Sequence, residues 1–284
     1  MTDKIYAVFV NYNFGDKISH AVNSVLKFKS IAGAVVIDNS SGDNSMDKVE
    51  KLITKGKDLI TIYNKTNEGF DSAVNKAIKK ALSLGANYII PLDSDLDFST
   101  DFIQRLYDVQ ADFVAPVLKF KRDGKWVYDY GGRVNWLIGR TTHLESSRQL
   151  KPLKTAQSST DHMRQNWFDF VSGGCTLIRK KVFEKIGFFD EDYFLYFGDT
   201  ELALRARRFG FKVTVDPTTF MWHTIQEHKV TFNRFKTITT LKGNWTFINK
   251  VVPERFRPIA WAYWFLLVGK VSWNYWKATG KVLR

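Results

Sequence analysis

Residues 5–41 read IYAVFVNYNFGDKISHAVNSVLKFKSIAGAVVIDNSS. Residues 5–10 form a short apolar run, the pattern of a buried strand. Over 16–28, Ile18, Ala21, Val22, Val25 and Leu26 recur at helical spacing. Residues 34–37 form a second apolar run. The pattern continues outward. Residues 59–63 give a third strand, and 71–84 an amphipathic helix with Ala73, Val74, Ala77, Ile78, Ala81 and Leu82 on one face. Residues 87–92 give a fourth strand. Strands alternating with helices of this length predict βαβ units and a mainly parallel α/β sheet.

Such a sheet binds ligands in the crevice beyond the carboxyl ends of its strands. Each apolar run here is followed at once by polar, turn-forming residues. They are Asn11, Tyr12 and Asn13; Asp38, Asn39, Ser40 and Ser41; Asn64, Asn67, Glu68 and Gly69; and Asp93, Ser94 and Asp95. Polar residues end strands in any protein, but four such loops in succession favour a shared ligand site. Further on, 120–165 is less regular, and its Ser/Thr/Gln/Lys-rich part at 145–161 reads as a mobile loop. Regular structure is expected again at 168–179, as helices near 180–186 and over 199–209, and as strands at 211–215 and 220–222.

The 284 residues, 44% hydrophobic and 25% charged, suffice for one or two globular domains. The single cysteine, Cys175, excludes an intramolecular disulfide and a Cys-rich zinc site. No signal peptide is expected at the N-terminus, because the apolar run has no basic flank or small-residue cleavage site. The net charge of +13 is concentrated at one end. Residues 229–284 hold eleven basic residues and one acidic residue, Glu254, together with five of the nine tryptophans.

Three features carry chemistry. Asp93-Ser94-Asp95 places two carboxylates two apart at a strand end, where both can turn toward one hard cation such as Mg²⁺ or Mn²⁺; a turn or a helix cap formed with Asp97 or Ser99 is the plain alternative. The run from Asn67 to Asn75 opens a helix whose N-terminus favours an anion, with Gly69 allowing close approach; an ordinary helix start capped by Asp71 explains it equally. Asp199 and Glu201 stand in the first turn of a basic helix, where acids are the default. The aromatic run 193–197 before them would set Asp199 in an apolar wall, which raises a carboxyl toward the range of a general base.

Five motifs in order, VNYN at 10–13, IDNSSGD at 37–43, NEGFDSAVN at 67–75, LDSD at 92–95 and SGGCTLIRKKVFEKIGFFDEDYFLYFGDTELALRARRFG at 172–210, make residues 4–225 resemble the inverting family-2 glycosyltransferases of the GT-A fold, and among them the rhamnosyltransferase-like branch. The resemblance implies transfer of a sugar, with inversion, from a nucleoside diphosphate donor to a hydroxyl of a lipid-linked or cell-surface glycan. dTDP-rhamnose or a UDP-sugar is the favoured donor. Asn11, Tyr12, Asn13 and Asp38 would line the base and ribose pocket, with Asn67, Gly69, Asp93 and Ser94 also on the nucleotide-sugar side. Asp93, Asp95 and His223 would hold Mg²⁺ or Mn²⁺, with His228 a rival to His223. Asp199 matches the catalytic base, and Gly173, Gly174 and Glu201 fall on the acceptor side. The family usually has Glu-Asp at the base position, whereas this chain has Gly198-Asp199; Glu201 or Asp190 could compensate. A degenerate member that binds ligand without turnover is the alternative. A nucleotidyltransferase is disfavoured, since Asn11-Tyr12-Asn13-Phe14-Gly15 stands where its Gly-rich basic loop would be.

The expected division is a GT-A body over 1–228 and a basic, aromatic, helical extension over 229–284. The uninterrupted apolar run 259–268 is about half of the roughly 20 residues that a spanning helix needs. Tryptophans and basic residues around it predict a monotopic anchor on anionic lipid, hence a cytoplasmic protein attached peripherally to the inner face of the cell membrane. Packing of the same aromatics on the body or in a homodimer is the alternative. Nucleic acid is an unlikely partner, because no recognition module accompanies the aromatic and basic residues.

Overall fold

The computed structural model describes residues 3–54, 56–148, 168–223 and 233–280. The parallel half of the sheet follows the expected order. Strand β1 (Ile5–Asn11) lies between β2 (Gly33–Asp38) and β4 (Tyr88–Pro91), and β2 pairs in turn with β3 (Asp58–Tyr63), all parallel. β1 and β2 are nearly continuous apolar runs because both faces of the sheet are covered. Tyr6 and Val8 point to one core with helix α3 (Phe70–Ser83), while Ile5, Ala7 and Phe9 point to the other with helix α1 (Asp16–Leu26). This alternation is the period-two signature of a strand with helices on both sides. Register brings Asn11 opposite Asp38, and Asp38 opposite Tyr63, so the strands end together and their loops form one rim.

The other half is antiparallel and more regular than the sequence suggests. β5 (Phe113–Arg122), β6 (Lys125–Asn135) and β7 (Arg140–Ser146) form a meander in the region read as irregular. Asp123 and Gly124, with φ of 50° and 71°, make the two-residue turn that a hairpin needs. The loop reading at 145–161 falls largely outside the described residues, as does His228. Two six-residue helices, α2 (Ser45–Glu50) and α4 (Ile103–Asp108), join the frame.

β8 (Leu177–Arg179) runs antiparallel between β4 and β5, and helix α5 (Lys180–Ile186) and helix α6 (Gly198–Arg208) follow it. The two strands expected at 211–215 and 220–222 are one strand, β9 (Val213–Trp222), parallel to β5. Its register slips after Asp216, whose carboxylate accepts from the Thr218 amide at 3.0 Å and the Thr218 hydroxyl at 2.7 Å. The polar run at 216–219 is therefore a bulge inside a strand and not a break.

Two helices close the chain: α7 (Arg234–Lys250) and, after a 3₁₀ turn, α8 (Arg257–Thr279). α7 belongs to the body. Phe247 and Ile248 are fully buried in the core that contains α3, Gly243 lies against the backbone of Tyr196, and the Asn244 side chain donates to Gly139 O at 2.6 Å. Only the start of α8 packs likewise, with Ala260 buried and Trp264 Nε1 donating to Leu241 O at 3.0 Å. Among the described residues no helix is long and apolar enough to cross a membrane.

Candidate active site

The buried strand β4 carries the chain to the rim, where Asp93 and Asp95 follow it. Asp93 is fixed by its own backbone: its N–H donates to Gly174 O at 3.0 Å, and Leu92 bridges Cys175 beside it. His223 arrives from the end of β9. Its N–H donates to Lys119 O at 2.9 Å, and it bridges Leu96. His223 Nε2 lies 3.2 Å from Asp95 Oδ1, and donor atoms of Asp93, Asp95 and His223 all lie within 4.8 Å of one another. Burial, and then the charge of Asp95, push Asp93 up to about 6. For Asp95 burial works in the same direction, but the hydrogen bond and charge of His223 outweigh it and hold the carboxyl low. Two carboxylates that repel one another beside an imidazole are a donor set that a divalent cation stabilises, and Mg²⁺ or Mn²⁺ fits their chemistry.

The Gly173-Gly174 pair brings a second carboxyl to the same place. A methyl group on Gly174 would overlap the Asp93 carboxylate, and one on Gly173 would overlap Asp199. Two side chains from different elements thus lie directly on one stretch of backbone, which only glycine allows. Asp199 Oδ2 accepts from Gly173 N at 3.0 Å, and Oδ1 from Thr200 N at 2.7 Å. Burial raises the Asp199 pKa, and these two N–H groups and the charge of His143 oppose the rise without cancelling it. Asp93, Gly173, Gly174 and Asp199 line one cavity of about 380 Å³, walled by Phe70, Phe170, Leu195, Tyr196 and Phe197. The aromatic run is therefore the apolar wall expected of it. Phe197, with φ of 77°, takes a strained left-handed turn to enter α6.

The remaining expected site residues stand around the rim and outside that cavity. Asn11 Nδ2 is held by Asp38 Oδ1 at 2.7 Å, Ser45 Oγ at 2.7 Å and Ser41 Oγ at 3.0 Å. Asp38 also accepts from Ser41 N at 2.9 Å. Both side chains are buried and hold two strand ends together, whereas Tyr12 is exposed. Asn13 Oδ1 accepts from Gly42 N at 2.8 Å. Asn67 Oδ1 accepts from Asn39 Nδ2 at 2.9 Å and Gly69 N at 3.0 Å, and Gly69 meets Phe194 so closely that a Cβ would lie 2.6 Å from its carbonyl oxygen. The Ser94 hydroxyl is buried without a hydrogen-bond partner among the described residues. Glu201 is engaged by Arg205, at 2.9 Å to Nε and 2.8 Å to Nη2, and Asp190 by Lys250 at 2.6 Å. Neither fills the place beside Asp199.

Further polar groups to which the sequence gave no site role reach the cavity. Asp71 comes from the first turn of α3, His143 from β7 and Thr240 from α7. His143 Nδ1 lies 2.8 Å from Asp129 Oδ2, which also accepts from Ser172 Oγ at 2.9 Å; the Asp129 hydrogen bond raises the His143 pKa. These partners are distant in sequence, and the only local signal is a polar residue on a strand.

A mixed α/β sheet with the Asp93, Asp95 and His223 group at one strand end and a buried carboxyl in the adjoining cavity has the architecture of the GT-A fold. The family model described as "Glycosyl transferase family 2" matches residues 6–187. The chain belongs to that family. It is 30% identical over 239 residues to the dTDP-rhamnosyl transferase RfbF of Shigella flexneri, covering 81% of this chain and 72% of that protein. It is 23% identical over 244 residues to an N-acetylglucosaminyl-diphospho-decaprenol L-rhamnosyltransferase of Mycobacterium tuberculosis, covering 78% and 76%. The fold matches the mannosyltransferase PcManGT of Pyrobaculum calidifontis, solved with GDP-Man and Mn²⁺, with a TM-score of 0.59 at 15% identity, covering 93% of this chain and 69% of that one.

Proposed function

We propose that this glycosyltransferase moves a sugar, with inversion, from a nucleoside diphosphate donor to a hydroxyl of a lipid-linked or cell-surface glycan. A dTDP- or UDP-linked donor, with rhamnose as the favoured sugar, agrees with the relatives. The observation that carries the reading is the double seat on Gly173 and Gly174, which puts Asp199 and Asp93 on the wall of one cavity. In this reading Asp199 takes the proton of the attacking hydroxyl. The freed oxygen attacks the anomeric carbon, the bond from that carbon to the diphosphate oxygen breaks, and its electron pair leaves with the diphosphate. Burial suits Asp199 to the role, because a raised pKa brings a carboxylate nearer the operating range of a general base. Asp93, Asp95 and His223 would hold Mg²⁺ or Mn²⁺, which when bound neutralises charge developing on the leaving diphosphate. Asn11, Asp38, Asn13, Asn67, Gly69 and Ser94 shape the donor rim, with Tyr12 open to stack on the base. The space beside Asp199 where the family usually has a glutamate holds another carboxyl, that of Asp71, which favours this reading over a degenerate member that binds without turnover.

The catalytic body then comprises 1–228 together with α7, which is rooted in its core, and the rest of the 229–284 extension attaches it peripherally to the inner face of the cell membrane. Phe265, Leu266, Trp273 and Trp276 are exposed large apolar side chains on α8, Trp273 and Trp276 stack with ring centroids 5.1 Å apart, and the extension is strongly basic. Aromatics beside basic residues suit an anionic bilayer surface; a homodimer through α8 would instead be seen as a change of mass in solution.

The deciding experiment is a thermal-shift panel of UDP, dTDP, GDP and CMP with and without Mn²⁺. A ligand at 100 times its dissociation constant adds about 2.7 kcal/mol. Stabilisation by one pyrimidine diphosphate that needs Mn²⁺ supports the donor site. No response to any of the four removes it.

A further inference from the structure

Two carboxyl groups stand together at the base position, and the reaction uses one of them. Asp71 is 1% exposed, lines the cavity with Asp199 and His143, and its Oδ2 has no hydrogen-bond partner among the described residues. Its place is fixed from both sides. Phe70 N donates to Phe194 O at 2.6 Å, and one turn on the Asn75 side chain accepts from Phe189 N at 3.0 Å and donates to Phe189 O at 2.9 Å. The Asp71 carboxyl rests on the Cα of Gly198, where any side chain would overlap it. The residue before the base is therefore glycine because α3 fills the space.

We propose that Asp71 is an acceptor-recognition residue: from its seat on Gly198 it gives a hydrogen bond to an acceptor hydroxyl next to the one that loses its proton to Asp199. This inference rests on the transferase reading of the cavity.

The electrostatics agree. Burial, and then the negative charges of Asp199, Asp190, Glu201 and Glu191, push Asp71 up to about 9, so at neutral pH it carries a proton and is a donor. A neutral acid also adds no second negative charge beside the base. The neighbouring acids are otherwise engaged: Asp190 by Lys250, Glu201 by Arg205, and Glu191 by the Asn75 amide at 3.0 Å. His143, which also lines the cavity, is held by Asp129.

The test uses the full chain with Mn²⁺, dTDP-rhamnose and UDP-N-acetylglucosamine as donors, and octyl rhamnoside and octyl N-acetylglucosaminide as acceptors. The variants are Asp71→Ala, Asp71→Asn and Asp71→Ala with Gly198→Glu. Asp71→Ala is expected to raise the glycoside KM about tenfold, a larger change than any it makes in the rate of donor hydrolysis by water. Asp71→Asn, whose amide still donates, should remain close to wild type, and the double variant should recover part of the loss by supplying a carboxyl from the other side. An unchanged KM in Asp71→Ala overturns the proposal, as does a fall in donor hydrolysis as large as the loss of glycoside transfer. If the wild-type chain neither binds nor hydrolyses any donor, the transferase reading fails separately. Infrared difference spectra then decide for Asp71. The protonated-carboxyl band missing from Asp71→Asn must shift when the octyl glycosides are added, and a band that is absent or unmoved overturns the proposal.

Discussion

The backbone N–H of Gly173 donates to Oδ2 of Asp199 at 3.0 Å, and the Gly173 Cα lies so close to that side chain that a methyl group there would overlap it. A side chain at 173 must therefore displace the base. Gly173→Ala is expected to lower transfer about 10²-fold, the usual effect of moving a reacting group by about an ångström. Nucleotide-induced thermal stabilisation should survive, since the donor rim is built from other loops. Steady-state rates beside melts with Mn²⁺ and nucleotide check both halves.

Asp199→Asn keeps the shape but removes the proton acceptor, and its amide oxygen can accept only one of the two N–H groups that the carboxylate holds. Transfer should fall by about 10²–10⁴-fold with KM for the donor little changed. Near-normal turnover in this variant would sink the assignment of the base.

The Asp93, Asp95 and His223 group makes a separate prediction. Removing the metal with a chelator should abolish the Mn²⁺-dependent part of the nucleotide shift, and Asp95→Ala should do the same with metal present. His223→Ala should weaken Mn²⁺ binding by at least the roughly 10–100-fold that loss of an outer-shell partner costs. Isothermal titration with Mn²⁺ and nucleotide measures this directly.

Asp71 links pH to stability. Its pKa is raised in the folded chain, from 3.8 to about 9, so the folded state binds the proton more tightly than the unfolded state. Its favourable contribution is present below about pH 4 and is lost progressively as pH rises toward 9. Asp71→Asn has no such dependence. The melting temperature of the variant minus that of the wild type should therefore grow with pH, by about 2 °C or more between pH 5 and pH 8. A difference that is flat or falls with pH contradicts the buried, protonated acid.

The end of α8 can be tested without disturbing the core. Deleting the whole extension would strip Phe247, Ile248 and Ala260 from the body, so substitution is the cleaner probe. Trp273→Ser with Trp276→Ser is expected to lower affinity for anionic vesicles about tenfold or more while leaving the melting temperature within a degree or so. Vesicle co-sedimentation at two salt concentrations reads it, and unchanged binding would point away from α8 as the contact.

The parallel half of the sheet was legible because strands buried on both faces must be apolar throughout, and 5–10, 34–37 and 88–92 are. The antiparallel half was not. β7 reads RTTHLES, a half-exposed strand without an apolar run, and the hairpin beside it turns on just two residues, Asp123 and Gly124. The metal-type pair and the base were legible as motifs, since short spacing can be read along a chain. Asp71 was visible only as a helix-capping acid, because nothing local says that its carboxyl rests on a residue 127 positions away.

The sequence by itself determined the βαβ frame, the family resemblance and the concentration of positive charge and tryptophan at one end, because periodicity, composition and close-spaced motifs are local properties. Only the tertiary structure decided that Gly173 and Gly174 seat two carboxyls from different elements, that Asp71 occupies the volume before the base, and that α7 lends Thr240 to the cavity. Those facts depend on excluded volume and burial between segments far apart in the chain, and no local pattern encodes which segment will fill a given space.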